Sequence, residues 1–244
     1  MSTPVTVKTQ IQALINNANA KTGNNDTDLT TAVNSLIDGY GSGTSGDYLQ
    51  YVNTVSFNDF NLFGKTKVEL TFNNISALGS SFSQAKANQI LEDITINVAT
   101  KPTNVNAIFY ARVTDTVLKK ITFNIDISEA IYASSMFMNL RALEEIRGIP
   151  LNFSKAPSNA SGQFNNCINL KEVRFAEGTI KNHSISFLDC QYLSDESIES
   201  IINGLADLTG LTAQTVTFHS DVKVKIEQNQ LWLTAITNKN WTLA

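Results

Sequence analysis

Charge, histidine and cysteine are all scarce in this chain, and the shortages narrow what it can do. Charged residues make up 16% of the 244 positions, against roughly 25% in an average soluble protein. The net charge is −4 and the cations are dispersed, so the clustered Lys and Arg needed to neutralise many phosphates are missing and no nucleic-acid partner is expected. The two histidines, His183 and His219, have no Cys or carboxylate at ligand spacing, so no four-donor zinc site and no cofactor is expected. No apolar run approaches the roughly 18–20 residues that span a bilayer. Residues 1–10 lack a charged-then-apolar leader, which points to cytoplasmic synthesis without export by the usual route. No Gly-x-Ser-x-Gly elbow follows an apolar strand, since Gly41-Ser42-Gly43 lacks the spacing, and no phosphate-cradling glycine loop occurs. The expected class is not an enzyme.

What the chain does have is a hydrophobic fraction of 42%, enough for a sizeable core, and an internal repeat. Ser134-Ser135-Met136-Phe137-Met138-Asn139-Leu140-Arg141-Ala142-Leu143-Glu144-Glu145-Ile146-Arg147 aligns without gaps on Ser161-Gly162-Gln163-Phe164-Asn165-Asn166-Cys167-Ile168-Asn169-Leu170-Lys171-Glu172-Val173-Arg174. The shorter Phe187-Leu188-Asp189-Cys190-Gln191-Tyr192-Leu193 follows. Each reads Phe-x-x-(Cys/Leu)-x-x-Leu, with steps of 27 and then 23 residues between the phenylalanines. Self-similarity at such a period is the mark of a solenoid, whose units bury their apolar sides only against their neighbours. Leu91, Leu118, Leu143 and Leu170 keep the step upstream, where the Phe-x-x-Cys part is lost.

Three stretches organise the chain. Residues 1–38 read as an αα-hairpin, with Val7, Ile11, Leu14 and Ile15 on one helical face and Leu29, Val33, Leu36 and Ile37 on the next. Two short helices cannot bury both stripes alone, so these residues are the expected attachment surface, for a partner protein or for copies of the chain in a homo-oligomer. Residues 39–47, rich in Gly and Ser, read as a flexible linker. Residues 48–244 read as the repeat domain. Its expected strands include 68–72, 94–96, 121–123, 146–149, 173–175, 185–187 and 216–218, each alternating apolar and polar residues. Ser194-Asp195-Glu196 starts an expected helix, 221–226 and 231–236 are weaker helical segments, and Trp232 and Trp241 suit the capping of an open end.

The repeats resemble the BspA-type leucine-rich repeat, carried by Phe137…Leu140…Leu143-Glu144-Glu145-Ile146 and Phe164…Cys167…Leu170-Lys171-Glu172-Val173. The segment from Val7 to Gly41 is similar to one found in phage structural and appendage proteins. The resemblance implies an α+β fold with an N-terminal αα-hairpin, a Gly/Ser linker, and a leucine-rich-repeat-like β-solenoid closed by C-terminal capping helices. It implies a virion component: the hairpin anchors to other virion proteins, and the repeat domain presents a surface for a host glycan or protein. A bacterial cell-surface leucine-rich-repeat protein from a mobile element is the alternative, and an appendage glycan hydrolase the third reading.

Outward-facing strand residues are the candidate binding positions: Thr95, Thr122, Arg147, Arg174, Ser186 and Thr217. Stacked Arg147 and Arg174 repel one another, which either an anionic ligand group or neighbouring Glu side chains would relieve. Glu144, Glu145 and Glu172 read more simply as a charge ladder, Lys120 beside Glu145 and Glu144 beside Lys171, than as catalytic acids. Cys167 and Cys190 share one slot of successive repeats. A disulfide is conceivable there, but a ladder of small buried thiols is favoured.

Overall fold

The computed structural model describes residues 48–52, 66–72, 76–79, 91–110 and 117–244. The expected hairpin (1–38), with all of its attachment residues, and the linker (39–47) lie outside the described residues. The fold is α+β. Strands β1 (Tyr48–Val52), β2 (Lys67–Phe72), β3 (Asp93–Val98), β4 (Lys120–Asn124) and β5 (Glu145–Gly148) form a parallel sheet in chain order. Strands β6 (Ile185–Phe187), β7 (Gln214–Phe218) and β8 (Trp241–Leu243) form a second parallel sheet. The described helices are α1 (Asp195–Gly204), α2 (Ser220–Gln228) and α3 (Gln230–Asn238).

Parallel neighbours need a crossover to bring the chain back to the same end. Here the returning segments form a hydrogen-bonded ridge of their own. Val105, Ala107 and Phe109 donate backbone N–H bonds to Tyr132, Ser134 and Met136, and Ser135, Phe137 and Asn139 do the same to Ser161, Gln163 and Asn165. The chain advances by one strand and one ridge segment in each turn. Turning within so few residues requires left-handed backbone, and it recurs in register: Ala107, Ser135 and Gly162 have φ of 53°, 53° and 69°. Asn139 and Asn166 share a second such position at 69° and 59°, where asparagine tolerates the conformation. The Asn166 amide donates to the Asn139 side-chain oxygen at 2.8 Å.

Between the strands and the ridge lies one continuous core. Strand positions alternate, so Ile94, Ile96, Ile121, Phe123 and Ile146 point inward. A phenylalanine column runs through it: Phe109, Phe137, Phe164, Phe187 and Phe218 stack with successive centroid distances of 5.9, 5.7, 4.8 and 5.6 Å. The column thus extends one step beyond the visible repeat on each side. Phe123 and Phe175 meet it edge-on at 5.8 and 6.0 Å, the favoured complement to offset stacking.

Two strand expectations need correction. Residues 173–175 are not a strand; the chain there makes isolated bridges at Glu172 and Phe175. The element stacked on it is helix α1, and a helix offers no free strand edge. Its serine hydroxyls substitute: Ser197 Oγ accepts from Val173 N at 3.0 Å and Ser200 Oγ from Phe175 N at 2.9 Å. Strands β6 and β7 also do not continue the first sheet. Phe187 stacks on Phe164, a ridge residue, so the second sheet grows from the ridge side of the core.

The helices follow local signals. Ser194 caps α1, its hydroxyl accepting from Ser197 N. The α1 C-terminus is held from the end of α3, where Lys239 Nζ donates to the carbonyls of Ile202, Asn203 and Leu205 at 2.9, 3.3 and 2.8 Å. Burial lowers the Lys239 pKa. Trp241 is buried and its indole N–H donates to Ala206 O at 2.9 Å. Cys167 and Cys190 are free, buried thiols, and Cys167 Sγ donates to Phe137 O at 3.0 Å. Burial pushes the Cys167 thiol up to about 12, so it carries no thiolate reactivity near neutrality.

His183 is fully enclosed. Its ring meets Phe153 edge-on at 5.8 Å, Gln163 Nε2 lies 3.4 Å from its Nε2, and its Nδ1 has no partner among the described residues. Burial lowers its pKa to about 4, so the folded protein holds it neutral while the unfolded chain protonates near 6.5. Stability from this site is complete above that value and falls as pH drops from about 6.5 to about 4, by about 3 kcal/mol in all. Urea titrations between pH 7 and pH 4 are expected to show this slope, and His183→Gln to remove it. Phe164→Ala, at the centre of the column, is expected to cost about 4 kcal/mol in the same assay.

Candidate functional site

Replacing a strand by a helix at the end of the first sheet leaves a step in the surface. At that step lies a groove of about 450 Å³, lined by Ile146, Arg147, Gly148, Glu172, Val173, Arg174, Ser194, Glu196 and Ser197. Alternation places its two arginines. Ile146 and Val173 point into the core, so Arg147 and Arg174 point out. Gly148 ends β5 with φ of +100°, and a Cβ there would lie 2.6 Å from Asn124 Oδ1 and 2.7 Å from Phe123 O. Only glycine lets the chain turn at that point, against β4 and at the edge of the groove.

The charges are unequally committed. Arg147 lies 2.7 Å from Glu145 Oε2 and 3.5 Å from Glu172 Oε2, so neighbouring glutamates relieve its charge. Arg174 and Glu196 make no ion pair or side-chain hydrogen bond among the described residues. The four charged groups lining the groove, two Arg and two Glu, sum to zero.

Beyond the groove, the outer face of the first sheet is a polar row. Glu69, Thr95, Thr122 and Arg147 are register neighbours across β2 to β5, so the structure brings four candidate or adjacent positions into one line running to the groove. A parallel row is tied together: Asn124 Nδ2 donates to Asn97 Oδ1 at 2.8 Å, and Asn97 Nδ2 lies 3.1 Å from Thr71 Oγ1. Arg174 joins the line at the step. Ser186 and Thr217 do not. They pair with one another across β6 and β7 in the second sheet, on the ridge side, because Phe187 belongs to the phenylalanine column. The contributions of Glu196 and Ser194 were not readable as site residues, since only the helix placement brings 194–197 beside 146–148.

The carboxylates form the expected alternation with cations. Lys120 lies 3.6 Å from Glu145, Lys171 2.9 Å from Glu144, and Lys119 2.9 Å from Glu92. Hydrogen bonding from Lys171 holds the Glu144 carboxyl below its ordinary range. Among the described residues no group of His, Cys, Asp and Glu could hold a metal ion, and no helix is long and apolar enough to cross a membrane. Comparison with protein-family models, with curated proteins and with solved structures finds no match.

Ser197 is the hinge between wall and floor of the groove, because its buried hydroxyl holds the Val173 N–H. Ser197→Ala leaves that N–H without an acceptor and is expected to cost about 1–3 kcal/mol. Hydrogen exchange should then show faster exchange at Val173, while amides of β2 and β3 stay protected.

Proposed function

We propose that the chain is a structural or appendage protein of a phage virion, not an enzyme, whose described part is a BspA-type leucine-rich-repeat solenoid. In this reading residues 1–38 anchor the chain to other virion proteins, or to its own copies, and the repeat domain faces outward for host adhesion. The solenoid reading is supported by the phenylalanine column and by the two parallel hydrogen-bonded rows, each advancing once per turn of the chain. The recognition reading rests above all on the polar row from Glu69 through Thr95 and Thr122 to Arg147, which leads into a groove holding an uncommitted arginine. Extended surfaces built from repeated units are what stacked-repeat proteins use for binding.

Two measurements test it. Mass spectrometry of purified particles should find the chain in the virion, and deletion of residues 1–38 should abolish its incorporation. Purified full chain, added in excess, should block adsorption of those particles to their host cells. A chain absent from particles, or one that leaves adsorption unchanged, overturns the reading.

A further inference from the structure

We propose that the groove between β5 and α1 takes a neutral, polyhydroxylated ligand, a sugar unit of an uncharged surface glycan. The inference rests on the recognition reading above and specifies its ligand. The groove, at about 450 Å³, lies within the range of small-molecule sites. Its lining offers two uncommitted charged groups of opposite kind. The Arg174 guanidinium is a fork of donors without a partner, and the Glu196 carboxylate is an acceptor without one. They do not satisfy each other, since no ion pair links them. Hydroxyl groups donate and accept at once, so adjacent hydroxyls on a ring can meet both with charge-assisted hydrogen bonds.

An anionic ligand fits less well. Its negative charge would gain Arg174 but would face Glu196, while Arg147 is already held by Glu145 at 2.7 Å and Glu172 at 3.5 Å. A cationic ligand meets the converse difficulty at Arg174. The zero sum of the lining charges therefore selects against both.

The test uses the full chain on an array carrying neutral and acidic oligosaccharides side by side, followed by calorimetric titration with the best-bound one. Retention on neutral oligosaccharides is expected. Arg174→Ala should weaken that binding at least tenfold and Glu196→Gln about fivefold, with Lys155→Ala, on a surface away from the groove, unchanged. Both groove variants alter exposed side chains without partners, and their circular dichroism should match the parent. Binding confined to acidic glycans, or neutral binding indifferent to both variants, overturns the proposal. So does failure to bind the array at all. In that case adsorption separates the two ideas: if full chain still blocks adsorption and Arg174→Ala does not, the groove serves a non-glycan partner, whereas loss of blocking by the parent chain removes the recognition reading itself.

Discussion

Among the described residues, a strand-bearing turn leaves most of its strand backbone to be satisfied by its neighbours. A strand of four to six residues has its N–H and C=O groups directed sideways, and the returning segment behind it is in the same position. Each must find the next turn at hydrogen-bonding distance, on both sides of the core at once. That requirement explains why left-handed residues recur in register at Ala107, Ser135 and Gly162, and why the phenylalanines pile up instead of scattering. The loops between them absorb differences in turn length, since the phenylalanines stay stacked across steps of 27 and 23 residues.

The consequence is felt most where the pattern changes. At residues 172–175 the following turn supplies a helix, and the orphaned N–H groups of Val173 and Phe175 go to two serine hydroxyls one helical turn apart. Helix α1 is therefore tied into the first sheet by side chains, where the strands are tied by main chain. The step in the surface follows directly, because a helix is thicker than a strand. The groove is the geometric remainder of that change, and its opposed charges come from three successive turns of the chain.

Much of this was legible in the sequence. The Phe-x-x-(Cys/Leu)-x-x-Leu spacing located the central three members of the column, the apolar-polar alternation located β2 to β5, and Ser194 marked the start of α1. Lys120 with Glu145 and Lys171 with Glu144 follow from register alone. Phe109 and Phe218 escaped notice because they belong to the column through position, without the flanking Cys and Leu. The strand at 173–175 was misread for a different reason: its alternation is real, and Val173 and Phe175 are buried as expected, but strand formation depends on the neighbour. Ser186 and Thr217 were grouped with the wrong sheet because period-two alternation does not say on which side of a core a segment lies. Arg147 followed its glutamates, and Arg174 did not.

Lys239 has a reach that its place in the chain conceals. Its ammonium gathers three carbonyls at one end of α1, while the opposite end of the same ten-residue helix carries Ser194 and Glu196. The lysine, more than thirty residues distant in sequence, thereby fixes the C-terminal end of a helix whose first turn lines the groove.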